Sequence, residues 1–252
     1  MQKLSAVIIT LNEERNILRC IEALQKVADE IVVLDAFSTD KTKEICESLG
    51  VRIEQRHWEG YSASKNYLNN LVTNDYILSI DADEVLDSTL IAALNSLKKS
   101  GFKGVYSISR MTNYMGKWIR HSGWYPDVKT RLFPKNGSRW DGEFVHEELK
   151  FPTGLEIIQL PGHLEHYSYS SFDDHRKRAD KYSSLTAKKH FAQGKKASIF
   201  KPLLSAIGRF VGMYFLKLGF LDGKMGFKLA QISAQSNYFK YSELRRLHRE
   251  KQ

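Results

Sequence analysis

Tyr76-Ile77-Leu78-Ser79-Ile80-Asp81-Ala82-Asp83-Glu84 begins as a buried strand and ends in carboxylates, and the fold turns on that junction. The run before Asp81 is aromatic and aliphatic around Ser79, a composition that suits a strand covered on both faces. Alternate side chains of an extended chain point the same way, so Asp81 and Asp83 are expected to converge on one cation at the strand end. Ala82 between them leaves room for a bulky ligand. Carboxylate ligation suits a hard divalent ion such as Mg2+ or Mn2+, and an ion at a sheet edge can hold a diphosphate. The plainer reading makes Asp83 or Asp87 the cap of a helix over residues 88–99.

On the N-terminal side the same texture recurs. Ser5-Ala6-Val7-Ile8-Ile9-Thr10 and Glu30-Ile31-Val32-Val33-Leu34-Asp35 are apolar runs closed by a polar residue. Helical patterns over 17–27, 43–49 and 61–71 separate the strands, with a short third strand at 51–55. Strand and helix in alternation imply a parallel sheet with helices on both faces. Ligands of such sheets sit beyond the carboxyl ends of the strands, here Thr10, Asp35 and Asp81 with Asp83. No Gly-rich phosphate loop follows a strand, which argues against a dinucleotide or P-loop site.

On the C-terminal side the texture changes after Ser100-Gly101. Residues 104–110 alternate like a half-exposed strand, and residues 114–140 are dense in aromatics. Lys129-Thr130-Arg131-Leu132-Phe133 with the turn Pro134-Lys135-Asn136-Gly137 predicts a hairpin. Residues 155–160 and 163–169 predict a second strand pair. From residue 171 the pattern is helical and basic, with a helix over 173–190 and a break at Gly194-Lys195-Lys196. Beyond it, Leu203, Leu204, Ile207, Phe210, Val211, Tyr214, Phe215 and Leu218 form one stripe of period 3.6. Arg209 lies opposite the stripe, and Lys201 and Lys217 flank it. The pattern fits a helix lying in a membrane interface or one packed on the core, and both readings stay open.

At 252 residues the chain can bury a substantial core, as one large domain or two small ones. Cys20 and Cys46 lack metal-ligand spacing and read as buried thiols of a reducing compartment. The apolar run at 4–11 leads into Asn12-Glu13-Glu14-Arg15 and reads as a strand rather than a leader. Nothing approaches the roughly 18 apolar residues of a spanning helix. The net charge of +9 is unevenly placed: residues 1–174 hold 20 Lys+Arg against 25 Asp+Glu, and residues 175–252 hold 18 against 4. One end of the molecule is therefore expected to meet an anionic surface.

Four segments, V-I-I-T-L-N-E-E, L-D-A-F-S-T-D-K-T, S-A-S-K-N and L-S-I-D-A-D-E, in this order and spacing resemble the family 2 inverting glycosyltransferases of the GT-A fold. R-L-F-P, D-G-E-F-V-H-E-E, H-Y-S-Y and the Lys-rich tail resemble a narrower subgroup, bacterial lipopolysaccharide-core glucosyltransferases and their relatives in surface-polysaccharide assembly. One departure is visible. The second strand ends Asp35-Ala36-Phe37-Ser38, where the family commonly has D-D-G-S or D-S-G-S.

The resemblance implies an α/β fold of GT-A type. Residues 1–100 would be a Rossmann-like nucleotide-sugar-binding half with a mostly parallel central sheet. Residues 101–170 would be an acceptor-binding and catalytic half, and residues 171–252 a basic amphipathic helical tail. It places Thr10 and Asn12 at the base and ribose, with Glu14 shaping the same loop. Asp35 would bond the base, uracil in most members; its plainer role is to start a turn through an Asx bond. Lys65 would face the diphosphate, Asp81 the ribose or a metal-bound water, and Asp83 the metal itself, Mn2+ or Mg2+. Arg131 can grip a phosphate bidentately or form a salt bridge. His166 is a candidate metal ligand. Trp124, Tyr125 and His146 are candidates for the acceptor, the two aromatics as platforms for a sugar ring, with core packing as the rival reading.

The expected reaction is metal-dependent transfer of a glucose-like hexose from a UDP-type donor to a lipopolysaccharide-core or other lipid-linked acceptor. Its expected place is the inner face of the bacterial cytoplasmic membrane. A single inverting displacement needs one base. The resemblance favours Glu147, with Glu148 and Asp141 as alternatives and exposed hairpin acids as the plain reading. Nucleotidyl transfer to sugar phosphates also uses α/β sheets and paired aspartates, but the basic Gly-rich loop it needs after the first strand is replaced by Leu11-Asn12-Glu13-Glu14. Nucleic-acid binding by the tail would interleave aromatics with basic residues, whereas here the aromatics join the apolar stripe. No nucleic-acid partner is expected.

Overall fold

The computed structural model describes residues 1–142 and 147–251. In chain order the first elements are β1 (Leu4–Thr10), α1 (Ile17–Leu24), β2 (Glu30–Asp35), α2 (Thr42–Ser48), β3 (Arg52–Gln55), α3 (Tyr61–Leu71) and β4 (Tyr76–Asp81). β5 (Glu84–Leu86), α4 (Ser88–Ser100), β6 (Val105–Tyr114), β7 (Lys117–Trp118), β8 (Asp127–Pro134), β9 (Arg139–Asp141), β10 (Glu148–Lys150) and β11 (Ile157–Tyr169) follow. The helices α5 (Phe172–Ala192), α6 (Lys201–Val211) and α7 (Gly223–Glu250) complete the chain. By contacts it forms two compact units: Met1–Arg110 with Asp127–Tyr167, and Met111–Pro126 with Ser168–Gln252. This division follows packing, whereas the one at 1–100, 101–170 and 171–252 follows role.

In the first unit the strands lie in the order β3-β2-β1-β4-β8-β6-β11-β5. β1 pairs in parallel with β2 and β4, and β2 with β3. β8 runs antiparallel to β4 and β6, and β5 antiparallel to β11. The apolar runs are continuous because both faces of the parallel strands are covered. Leu4, Ala6 and Ile8 of β1 pack with Ile17 and Ile21 of α1 and Leu90 of α4, while Val7 and Ile9 pack on the other side with Leu68 of α3 and Trp140.

Two predicted strand pairs are corrected. The segment after Pro134 does not return along β8. β9 pairs with β10, and β8 is already bonded on both edges by β4 and β6. Residues 155–160 and 163–169 are not two paired strands either, because β11 runs through Pro161-Gly162 as one strand. Gly162 is needed there: its φ is +91, and a Cβ would collide with Leu90 N at the start of α4.

The second unit is helical. Tyr114, Ile119, Met213, Leu229 and Ala230 form its buried core, with Trp124, Tyr169, Phe172, Phe210 and Tyr214 against it. A single π-helical turn (Gly212–Leu216) and a 3-10 turn (Gly219–Asp222) join α6 to α7. Buried Asp222 ties this corner to the preceding loop by accepting from Arg120 N at 3.2 Å and His121 N at 3.0 Å.

Candidate active site

The parallel register builds a polar rim, because Thr10 lies opposite Asp35 and Ile9 opposite Asp81. The chain bends just beyond Asp35. Its carboxylate is fully buried and accepts from Ser38 N, from the Ser38 hydroxyl, and from Gln55 Nε2 at 2.9 Å. The Asx-turn role is thus present in the structure. Phe37 has φ +62, so the departure from glycine keeps glycine's left-handed backbone and adds a ring whose centre is 4.5 Å from that of His57. Asn12, also left-handed, stitches its own loop to this one: Asn12 N donates to Ser38 Oγ, and Asn12 Oδ1 accepts from Thr39 N, both at 2.8 Å. Glu14 accepts from Lys41 N at 3.1 Å. Thr10 Oγ1 is buried without a hydrogen-bond partner among the described residues.

The second half of the rim is ionic. Arg131 Nη2, on β8, lies 2.6 Å from both Asp81 Oδ2 and Glu84 Oε1. Glu84 is fully buried, accepts from Asp81 N at 3.0 Å, and is met again by Arg110 at 3.2 Å. Lys65, on α3 and 2% exposed, lies 3.6 Å from Asp81 and 2.8 Å from Glu147, with its ammonium over the Trp140 ring. Burial alone would raise the Asp81 carboxyl. The charges of Arg131 and Lys65 outweigh it and hold the group well below the usual carboxylate range. Burial likewise opposes the Arg131 charge, and the two carboxylates overcome it and raise its pKa.

The strand alternation expected to bring Asp81 and Asp83 together does not run through this segment. β4 stops at Asp81 and β5 starts at Glu84, so Ala82 and Asp83 form a turn and the pleat does not carry across them. Asp81 faces the two cations, and Asp83 faces His166 at 3.2 Å. The pairing of β5 with β11 sets His166 opposite Glu84, which brings the imidazole to this turn. Carboxylate with imidazole is a donor pair better suited to Mn2+ than to Mg2+, which prefers oxygen alone. Among the described residues no three His, Cys, Asp or Glu side chains form a closed metal cage. The helix-cap role belongs to Asp87, which accepts from Leu90 N at 2.7 Å.

Of the three candidate bases, the structure brings only Glu147 to Lys65. Asp141 and Glu148 face each other across the β9–β10 ladder on the surface, where Glu148 pairs with Lys150. His146 lies outside the described residues. Trp124 and Tyr125 belong to the second unit, where Trp124 packs against Tyr114, Tyr169 and His175 in the core arrangement. Sequence reasoning missed Glu84 and Arg110, which fix Arg131. The available signal was a third acid directly after Asp83, at a position that turned out to be enclosed and therefore in need of a cation.

A model of glycosyl transferase family 2 matches residues 5–155, more than half of the chain. The chain belongs to that family. A glycosyltransferase of Rickettsia prowazekii, described as uncharacterized, is 31% identical to this family 2 enzyme over 98% of the chain and 88% of its own length. The lipopolysaccharide core biosynthesis glycosyltransferase LpsC of Rhizobium meliloti is 28% identical over 95% of the chain and 93% of its own. Among solved structures, glucosyl-3-phosphoglycerate synthase from Mycobacterium tuberculosis, in complex with Mn2+, UDP and glucosyl-3-phosphoglycerate, superposes with a TM-score of 0.50 at 16% identity. It covers 78% of this chain and 82% of that one, and shares the GT-A fold with this glycosyltransferase. Family membership sets aside nucleotidyl transfer and nucleic-acid binding as the primary activity.

Proposed function

We propose that the protein transfers a glucose-like hexose, with inversion, from a UDP-type nucleotide sugar to a lipopolysaccharide-core or other lipid-linked glycan at the cytoplasmic face of the bacterial membrane. The observation that carries this reading is Lys65, buried at the rim between Asp81 and Glu147. A buried ammonium between two acids is a ready counter-charge for a diphosphate, and the acid beside it is a ready proton acceptor. Residues 1–100 supply the donor site, 101–170 the base and acceptor side, and 171–252 the attraction to an anionic surface. LpsC, by its name, supports the acceptor class. The Mn2+ and UDP of the mycobacterial fold neighbour are in keeping with the donor and the ion.

In this reading Thr10, with its unpartnered hydroxyl, and the loop framed by Asn12, Glu14 and Asp35 receive the base and ribose. Asp81, kept ionised by Arg131 and Lys65, faces the ribose. Asp83 and His166 would hold a divalent cation. When bound, that ion neutralises charge on the leaving diphosphate. Diphosphate oxygens compete with Glu147 for the Lys65 ammonium, and Glu147 is released toward the acceptor. It takes the proton of the acceptor hydroxyl as that oxygen bonds the anomeric carbon. The bond from that carbon to the diphosphate breaks, and the electron pair leaves with the nucleoside diphosphate.

A panel of nucleotide sugars tests the donor side. Thermal stabilisation by one UDP-sugar, greater with Mn2+ than without, is expected, together with release of UDP from it. Binding of no nucleotide sugar by folded protein would refute the proposal.

A further inference from the structure

α6 wears its apolar stripe on the outside. Its buried positions are Pro202 and, just beyond, Met213, and a shallow groove of about 380 Å³ between α6 and α7 is lined by Ala206, Ile207, Phe210 and Val211 on one side and Ala234 and Tyr238 on the other. On the outer side Leu204 is 64% exposed and Leu203 and Phe215 are each more than half exposed, and Ile207, at the edge of the groove, is 51% exposed. The strip extends at one end through Ile199 and Phe200, and at the other through Leu216 and Leu221. A helix packed on a core shows the reverse arrangement, and contiguous apolar surface of this extent marks an interaction site.

Charge selects the occupant. Residues 181–221 contain no Asp or Glu, and Asp222 is buried and spent on the backbone of Arg120 and His121. Exposed Lys195, Lys196 and Lys201 stand at one end of the strip, and exposed Lys217 and Lys224 at the other. Apolar side chains edged by lysines fit a bilayer with anionic headgroups, since lysine stems lie along hydrocarbon while the ammonium reaches the phosphate level. Geometry selects the mode. No single helix among the described residues is long and apolar enough to cross a membrane. The stretches Lys201–Leu216 and Gly219–Glu250 pass that test only together, bent by 73° at the corner. At 1.5 Å per residue, α6 is only about 16 Å long, roughly half a hydrocarbon core.

We propose that the outer face of α6 and the Phe215–Leu221 corner form a docking surface for an anionic lipid bilayer, with α6 lying in the interface plane. Leu203, Leu204, Ile207 and Phe215 enter the acyl boundary, and Lys201, Lys217 and Lys224 remain among the headgroups. This deepens the membrane side of the proposed function and rests on the second unit alone, so it stands or falls apart from the donor chemistry.

The test uses the full chain and vesicles of phosphatidylcholine with or without about one third phosphatidylglycerol. Wild-type protein should sediment with the anionic vesicles, severalfold more weakly at 0.5 M than at 0.1 M salt but still measurably. Leu204→Glu with Ile207→Glu, at exposed positions, should weaken sedimentation at least tenfold while UDP-sugar binding is unchanged. If the donor reading alone is wrong, nucleotide binding fails and this contrast survives. Equal sedimentation of variant and wild type would overturn the inference in favour of charge alone. A wild-type dimer that the double variant dissolves, with no vesicle binding by either, would assign the face to a second copy. As an independent readout, an environment-sensitive dye on Leu204→Cys should shift to the blue on anionic vesicles, and an unchanged spectrum refutes insertion.

Discussion

The rim of the parallel sheet and the outer face of α6 both break the ordinary sorting of side chains, in opposite directions. At the rim, charge has been drawn inside: Glu84 is fully buried and Arg131 and Lys65 nearly so. On α6, hydrocarbon has been left outside. The rim is compensated within the chain, because each enclosed charge meets an opposite one within 3.6 Å. The helix face has no such compensation in its own unit, where only the opposite side of α6 is covered. An inversion that the chain completes itself reports a preorganised site, while one it leaves open reports a surface waiting for a partner.

The largest expected effect concerns the Lys65–Glu147 pair, which the proposed reaction has to break. Glu147→Gln should lower kcat by about two to four orders of magnitude with donor affinity within a few-fold of wild type. Glu148→Gln, which disturbs only a surface pair with Lys150, should change kcat less than about twofold. Single-turnover UDP release with saturating donor measures both. If the two variants behave alike, Lys65 is merely neutralised by Glu147 and the base lies elsewhere.

A stability measurement sharpens the same contrast. Arg131→Met leaves Asp81 with Lys65 and Glu84 with Arg110, each having lost its closest cation. Truncating one partner of a buried ion pair typically costs about 3–5 kcal/mol, and a loss of at least about 3 kcal/mol is expected in urea denaturation. The unpartnered Nε of Arg131 offsets part of that loss when removed, since a buried donor without a partner among the described residues is itself destabilising. A loss below about 1 kcal/mol would mean that the network is held by neighbouring packing rather than by its charges.

How far these two regions were legible from sequence differs for a physical reason. β1, β2 and β4 were visible because a strand covered on both faces leaves a continuous apolar run, and their polar ends located the rim. Which acid faces which cation was not visible, because it depends on a two-residue turn at Ala82 and Asp83 and on the pairing of β5 with a strand some eighty residues away. Local alternation could not announce the His166 beside Asp83 for that reason. Pro161-Gly162 read as a hairpin turn because nothing local announces that Gly162 lies against the first turn of α4. In the tail, the period of α6 was legible and its direction was not. An amphipathic stripe is the same string of residues whether it faces a core or a bilayer, and α7, which covers the other side of α6, went unread in a polar-rich sequence with only scattered buried positions.

The smallest expected effect separates the two units by pH. His175 is buried beside Tyr114, Tyr169 and Trp124, with its Nδ1 in a 2.7 Å hydrogen bond with the Tyr114 hydroxyl. Burial pushes its pKa down to about 4, with Asp174 pulling up and Arg178 down. A histidine whose folded pKa lies below the unfolded value of about 6.5 leaves the unfolded chain binding more protons between those limits. Its contribution is therefore complete above about pH 6.5, is lost as pH falls toward 4, and changes no further below that. The loss should be about 2–3 kcal/mol. His190, also lowered by burial, adds in the same direction. The lowered carboxyls, Asp81 among them, act only below about pH 4.5, so the interval between pH 6.5 and 4.5 isolates the second unit. His175→Gln keeps a hydrogen-bonding partner for Tyr114 and removes the titration, so most of the slope of urea stability across that interval should disappear. A slope that survives the substitution would shift the effect to His190 on the surface of α5. The neutral imidazole would then have no part in holding the helical unit together.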